Sequence, residues 1–568
     1  VSDPTAPADQ KALDPDAVVA AITAARLWSD QDPDEVTRAE LDQLIVAAEA
    51  GDPAVARDLV SRFSGRLGFG TAGLRGELGA GPLRMNRVLV AQAAAGLAAF
   101  LLTREPHPSV VIGYDGRHNS DRFARDTAEL MQGAGVRAIL LPRRLPTPVL
   151  AFGVRHFDTS AGVMVTASHN PAVDNGYKVY LGGLDGGSQI VAPADSEIEA
   201  HILEVAASPI NGLPRDTAYE TADESLLDEY VARTASLVTD PAPIRFVYTA
   251  LHGVGWETAR RVFEAAGFPE PVTVSEQLEP DPTFPTVSFP NPEEPGAMDL
   301  AFAAATRADA QLIIANDPDA DRLAVGIPSA AGGWRRLSGN EVGWLLGWRA
   351  ARRLERADED GTLACSVVSS PALEAVAAKY RLDFAETLTG FKWISRAGGL
   401  AYGYEEALGY LVDADKVRDK DGISAAVDLL GLLSELSAKG QTFDDHLAEF
   451  AEKFGAFASS QISIRVADLA EIPRTMAALR LSPPASIGGV PVLQIDDFAS
   501  GFGTFPPSDL LRFQLEGGGR VIVRPSGTEP KLKCYLDTWS TDGTAAERNA
   551  AADALLAKLD AGMRDLLA

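Results

Sequence analysis

The sequence predicts an α/β protein: three related α/β units of βαβ type, then a smaller C-terminal α+β domain, with a helical extension in front. Three observations carry this. Strand-like apolar runs alternate with helix-like stretches through most of the chain, which is the grammar of mixed or parallel sheets. The alternation restarts near residues 109, 244 and 365, and near the C-terminus it gives way to paired alternating strands and one long Ala/Leu helix. At 568 residues, 46% hydrophobic and 23% charged, the chain has the length and balance for several packed cores and is neither disordered nor a disulfide-stapled miniprotein.

Residues 1–60 carry Ala, Leu and Val at helical spacing, with Asp14-Pro15 and Asp32-Pro33 as helix starts. The first unit, 61–214, is expected to hold strands at 109–114, 137–141 and 162–165 and a helix at 121–133. The second, 215–328, has strand patterns at 244–249 and 311–315 around a helix at 256–267, and the third, 329–448, a strand at 365–369 and a helix at 371–380. In the last domain, 449–568, alternating strands at 517–525 and 531–537 precede a helix at 544–567. Eight prolines between 269 and 295 exclude a central strand and predict an extended connector. The apolar run 88–102 contains Gln92 and Gly96 and falls short of the roughly 20 residues that span a bilayer, so it reads as a buried helix.

Lys and Arg number 51 against 79 Asp and Glu, a net charge of −28. Such a molecule repels nucleic-acid backbones and anionic lipid, so neither nucleic acid nor a membrane is an expected partner. An anionic small molecule fits only if the basic groups gather in a cleft. Two cysteines, Cys365 and Cys534, are too few for a disulfide framework or a Cys-rich metal site, and the acidic, Pro/Ala-rich start lacks the features of a signal peptide. The reading is a reducing, cytoplasmic setting.

Five segments could carry chemistry. Gly68-Phe69-Gly70-Thr71-Ala72-Gly73 has the spacing of a dinucleotide fingerprint, but a helix-like stretch precedes it and no acidic residue follows about 20 positions on, so that reading fails. What remains, through Arg75 and Gly76, is a flexible turn that can also bring an Arg and backbone N–H groups to an anion. Thr166-Ala167-Ser168-His169-Asn170-Pro171 follows a strand directly, at the sheet edge where open α/β domains bind ligands. Ser168 is a nucleophile candidate or, equally, a turn hydroxyl, and the absence of a G-x-S-x-G elbow argues against an acyl-enzyme hydrolase.

Asp317, Asp319 and Asp321 stand at alternate positions after a strand, where three carboxylates can converge on one hard cation and otherwise repel one another. The loop is not an EF-hand, since Arg322 and Pro328 occupy the positions that would need Gly and Glu. Arg322 beside a metal suits a phosphoryl group bridging the two. Arg524-Pro525-Ser526-Gly527-Thr528 joins two strands and offers a guanidinium, two hydroxyls and a Gly for holding phosphate; a plain hairpin loop accounts for the Gly but not for the cations. Glu405 and Glu406, between Gly403 and Gly409, could accept hydrogen bonds from sugar hydroxyls.

Taken together and in this order, the segments resemble the α-D-phosphohexomutase superfamily from about residue 65 to the C-terminus. Thr166–Pro171 is similar to its phosphoserine loop, Asp317–Arg322 to its metal loop, Gly403–Tyr410 to its sugar loop and the stretch from Arg524 to its phosphate loop. The resemblance implies four domains around a central cleft, and an isomerase that interconverts 1-phosphate and 6-phosphate sugars through a phosphoserine and a bisphosphorylated sugar. It implies Ser168 as the phosphorylated residue and Mg²⁺ on Asp317, Asp319, Asp321 and the Ser168 phosphate. Arg75, His169, Lys178 and Arg322 would surround the transferring group, with Lys178 as general acid/base.

Gly390, Lys392 and Glu405 would contact the sugar, and Arg524, Ser526, Gly527 and Thr528 the phosphate that is not reacting. Glucose 1,6-bisphosphate would be activator and intermediate. In the sugar loop, Tyr404-Glu405-Glu406-Ala407-Leu408-Gly409-Tyr410 lacks the Ser and His of many bacterial phosphoglucomutases and phosphomannomutases. With Gly390-Phe391-Lys392-Trp393, this is similar to the branch of phosphoglucomutases with phosphopentomutase activity. Glucose phosphates are the first expectation, and pentose and mannose phosphates the alternatives. Oligomeric state is left open. A metal-dependent phosphohydrolase and a silent sugar-phosphate-binding protein are the rival readings.

Overall fold

Three Asp-capped helices open the chain in the computed structural model, which describes residues 13–567 apart from 330, 467, 469 and 527–530. Pro15–Ser29, Glu35–Glu49 and Pro53–Phe63 each start where a carboxylate accepts from free N–H groups of the first turn: Asp14, Asp34 and Asp52 respectively. Two of the three also place Pro in that turn, where its missing N–H costs nothing. Their buried residues, Trp28, Leu41 and Leu59 among them, join one hydrophobic core with Val110, Ile112 and Val163 of the first sheet.

That first sheet has seven strands. Ser109–Tyr114 lies parallel to both Arg137–Leu140 and Ala161–Val165, while Asp174–Leu181 runs antiparallel to Ala161–Val165 and pairs on its other side with Leu74–Glu77. The last three residues of the supposedly flexible Gly-rich segment, Leu74 to Gly76, thus lie in a strand. Gly73, at φ 74°, lies so close to Tyr177 that a Cβ would stand 1.8 Å from its carbonyl oxygen, so the close approach excludes any side chain. Arg87–Arg104, apolar and long enough by length alone to cross a membrane, is 67% buried within this unit and serves as its core helix.

The second unit has a five-stranded sheet in which Leu312–Asn316 is parallel to Phe246–Thr249 and antiparallel to Leu323–Pro328. The third has four strands, with Thr362–Ser366 parallel to Asp383–Thr387 and to Leu400–Glu405, and Gly409–Leu411 closing back antiparallel. The strand expected at 365–369 therefore lies earlier. Val367 and Val368, read as its continuation, instead pack with Phe498, Leu510, Ile522 and Tyr535 of the last domain. The Pro-rich 269–295 segment holds a two-residue strand, Val272–Thr273, and one helical turn, Ser275–Gln277, and is otherwise irregular.

The last domain is a six-stranded, wholly antiparallel sheet covered by Ala545–Leu567. One core, from Val111 to Phe454, runs through one face of the first sheet and the second and third units, while the last domain has its own. Four α/β layers are thereby arranged so that their loops can meet.

Candidate active site

The loop Asp317–Arg322 is the hairpin between Leu312–Asn316 and Leu323–Pro328. Asn316 closes it by donating from Nδ2 to the Arg322 carbonyl at 2.7 Å, and the N–H of Arg322 donates to Asp317 Oδ1 at 3.0 Å. The three carboxylates are buried, and one oxygen of each lies within 4.8 Å of the others. Among the described residues no other group of three His, Cys, Asp or Glu side chains is so close. Asp319 Oδ1 and Asp321 Oδ1 are buried with no hydrogen-bond partner. Carboxylate oxygens withdrawn from water require a donor or a cation, and an all-oxygen set of this kind fits Mg²⁺.

The first unit delivers the serine. Thr166 Oγ1 accepts from the Ser168 N–H at 2.9 Å, and Ser168 is turned into the left-handed region at φ 52°. Its hydroxyl donates to Asp317 Oδ2 at 2.9 Å and lies 3.1 Å from His169 Nδ1. Lys178, on the strand Asp174–Leu181, places Nζ 2.7 Å from Asp319 Oδ2 and 3.0 Å from Asp321 Oδ2. Thr147 donates to Asp319 Oδ2 at 2.6 Å. Arg75 donates to Asn170 of the serine loop at 3.3 Å.

Charge follows from this packing. Burial and the two neighbouring carboxylates raise the Asp317 pKa well above the ordinary range, whereas Lys178, Lys420 and Arg322 overcome burial at Asp321 and hold it low. Burial disfavours the Lys178 ammonium, but Asp319 and Asp321 outweigh it and raise its pKa. Burial, with Arg322 and Arg75 alongside, keeps His169 neutral, well below the usual histidine value.

The third unit meets the hairpin directly. Arg322 donates from Nη1 to the Ala407 carbonyl at 2.8 Å, and its backbone bridges to Gly409. Glu405 ends the strand Leu400–Glu405; burial raises its pKa, against the pull of Lys420 and Arg322. Gly390, at φ 104°, starts the short helix Phe391–Ile394, and Lys392 donates from Nζ to Thr71 Oγ1 of the Gly-rich segment. Burial, and repulsion from Arg524 in the last domain, lower the Lys392 pKa against the pull of Asp195. Burial raises the pKa of the Tyr535 hydroxyl against the pull of Arg524, and the Ser526 N–H donates to the Lys531 carbonyl at 2.8 Å. Gly527 and Thr528 lie outside the described residues.

The structure thus gathers Ser168, His169, Lys178, Arg75, Arg322 and the three aspartates in one cluster, with Glu405 and Lys392 beside it and Arg524 facing Lys392. Sequence reasoning missed Lys420, whose Nζ stands 3.3 Å from Asp321 Oδ2 and 3.3 Å from Asp419 Oδ1 and lies over the Phe391 ring. Its only signal was a lysine in the run Asp413–Asp421, a charge density that reads as a solvated face. Thr147 carried no signal, and Thr71 was visible only as a member of the Gly-rich segment.

The chain is similar, unit by unit, to the phosphoglucomutase/phosphomannomutase family. The match covers α/β/α domain I at residues 66–208, domain II at 228–329, domain III at 338–454 and the C-terminal domain at 462–554. A Haemophilus influenzae protein named "Probable phosphomannomutase" is 57% identical over 484 residues, 85% of this chain and 98% of that one. The mouse protein named "Phosphopentomutase" is 35% identical over 576 residues, 92% and 90% of the two chains. The crystal structure of a phosphoglucomutase/phosphomannomutase family protein from Burkholderia thailandensis shares the fold, with a TM-score of 0.68 at 20% identity over 88% of this chain and 96% of that one.

Proposed function

The chain belongs to the phosphoglucomutase/phosphomannomutase family of isomerases, and from that premise we propose that it moves a phosphoryl group between the 1- and 6-positions of an α-glucose phosphate through phosphorylated Ser168. The observation that carries the reading is the Ser168 hydroxyl 2.9 Å from Asp317, within a buried carboxylate triad that also holds the Lys178 ammonium. Asp317, Asp319 and Asp321 would hold Mg²⁺, which supplies positive charge against the carboxylates and the phosphoryl oxygens.

Phosphoryl transfer needs alignment and charge compensation more than covalent help. Arg322, tied to the Asp317 carboxylate and the Ala407 carbonyl, offers its remaining N–H groups to the phosphoryl oxygens, and Arg75 approaches from the serine side. In the first half-reaction the sugar 6-hydroxyl attacks phosphoserine and the P–O bond to Ser168 breaks; the Lys178 ammonium gives a proton to the leaving Ser168 oxygen, and the proton lost by the sugar hydroxyl restores the ammonium. The product is glucose 1,6-bisphosphate. After the bisphosphate turns in the cleft, the Ser168 hydroxyl attacks the 1-phosphate, the sugar 1-oxygen leaves with a proton from the Lys178 ammonium, and the proton lost by Ser168 restores that ammonium, so charge and protons balance in each half-reaction. Glu405, Gly390 and Lys392 would bind the sugar, and Arg524, Ser526, Gly527 and Thr528 the phosphate that is not reacting.

A second substrate reading rests on Ala407, which leaves the sugar loop without the hydroxyl expected for a hexose contact. Together with the similarity to the mouse phosphopentomutase, this favours pentose 1- and 5-phosphates; the Haemophilus relative supports mannose phosphates. Comparing kcat/KM for α-glucose, α-mannose and α-ribose 1-phosphates on the purified protein tests the choice. A preference for glucose supports the first reading, and stoichiometric release of inorganic phosphate would replace isomerisation by hydrolysis.

A further inference from the structure

Arg117 lies in the loop from the strand Ser109–Tyr114 to the helix Ser120–Gly133, with its guanidinium buried. Nη1 donates to the carbonyl oxygens of Pro171 at 2.8 Å and Asp174 at 3.0 Å. Nη2 donates to those of Ser168 at 2.7 Å and Asn170 at 2.5 Å. Three carbonyls of the serine loop and that of Asp174, where the next strand starts, therefore converge on one side chain, and only a guanidinium carries enough N–H groups in a fixed fork to meet such a set. Behind it, Asp115 Oδ2 lies 3.4 Å from Nε, and Asp115 Oδ1 accepts from the Arg117 N–H at 2.9 Å and the Ser120 hydroxyl at 2.7 Å. In front, the Phe284 ring stands 4.9 Å from Cζ.

Phe284 belongs to the Pro-rich segment of the second unit; it is buried and itself left-handed at φ 47°. Left-handed backbone at Ser168 and Phe284 persists only where the surroundings over-determine it. We propose that Arg117 is the positioning residue for Ser168, and that Phe284 extends this positioning across the boundary between the first and second units. The inference rests on the reading of Ser168 as phosphoryl carrier. By drawing four carbonyls inward, Arg117 sets the direction of the Ser168 Cα–Cβ bond and hence the reach of Oγ to Asp317. The Pro-rich segment, expected to be a connector, becomes part of the frame that aligns the serine loop with the metal loop.

The test uses the full-length enzyme with Mg²⁺, charged at Ser168 by glucose 1,6-bisphosphate, and follows transfer to glucose 1-phosphate in a single turnover. Arg117→Lys keeps the charge but offers one nitrogen for four acceptors. It is expected to slow transfer about 100-fold, as an ångström-scale misplacement does, with the KM for glucose 1-phosphate changed less than about 2-fold. Phe284→Leu is expected to slow transfer about 10-fold with the same unchanged KM.

Transfer at the wild-type rate in folded Arg117→Lys, or a loss confined to KM, overturns the proposal even if the melting temperature drops. If Arg117→Lys does not fold, Phe284→Leu decides: wild-type transfer overturns the proposal and slowed transfer supports it. A wild-type enzyme that cannot be charged at Ser168 refutes the underlying reading instead.

Discussion

Lys178 is held by two carboxylates that favour its ammonium form, and with Lys420 and Arg322 this pairing supplies positive charge to the aspartate triad. The triad was legible in the sequence because its three members are neighbours along the chain, so their convergence needs only one hairpin. Lys178 and Arg75 come from strands far from the triad along the chain; the Gly-rich segment already offered Arg75 to an anion, and the family resemblance placed both beside the transferring group. Asp319→Ala is expected to lower kcat at least about 1,000-fold, through loss of a metal ligand and of one Lys178 partner. The fold should survive, because Asp321 still pairs with Lys178 and one source of repulsion is gone; circular dichroism and a metal titration check both points. Arg524→Ala removes a charge-assisted contact of about 1.5–3 kcal/mol, so binding of both 1- and 6-phosphosugars should weaken roughly 10- to 100-fold. Isothermal titration with both sugars measures this, and impairment for only one would mean that Arg524 does not serve the shared phosphate.

The elements most easily anticipated were those with local periodicity: the Asp-capped opening helices, the buried helix Arg87–Arg104 and the parallel strand Ser109–Tyr114. Those misjudged depend on distant partners. Val367 and Val368 are apolar because another domain packs on them, and Leu74–Glu77 is a strand because Asp174–Leu181 pairs with it. His446, on Phe443–Phe454, stacks on Trp348 at 4.2 Å and 5° and lies 3.6 Å from Glu449. Burial, helped by Arg352 and opposed by Glu449, pushes its pKa down to about 4 from the usual 6.5 of a histidine. The folded state therefore holds a neutral ring, and its stability contribution is complete above the unfolded pKa and lost as pH falls from 6.5 towards 4. The loss amounts to at most about 3 kcal/mol. Urea unfolding across this window is expected to show that loss, and His446→Phe to flatten it; an unchanged pH slope in the variant would assign the loss to other groups.

Across the whole molecule, a net charge of −28 is reconciled with an anionic substrate by collecting cations where the units meet. Arg75, Lys178, Arg322, Lys392, Lys420 and Arg524 come from all four units and face one another across the same region. The last domain is tied there by Glu386, which accepts from Arg512 at 2.8 Å and from Arg520 at 3.1 Å. Glu386→Gln leaves Arg512 with Asp496 and Arg520 with Asp537, so the cost is expected to be only about 1–2 kcal/mol. Calorimetry should then show the last domain melting ahead of the rest, and an unchanged single transition would mean that apolar contacts such as Val368 with Phe498 carry the docking.

Peptide mass spectrometry shows whether Ser168 carries the phosphoryl group. The protein is sampled after incubation with glucose 1,6-bisphosphate and Mg²⁺, and again after a chase with glucose 1-phosphate. The expected result is phosphate on Ser168 that the chase removes as newly formed bisphosphate. Isomerisation proceeding while Ser168 stays unmodified throughout would rule Ser168 out as the carrier.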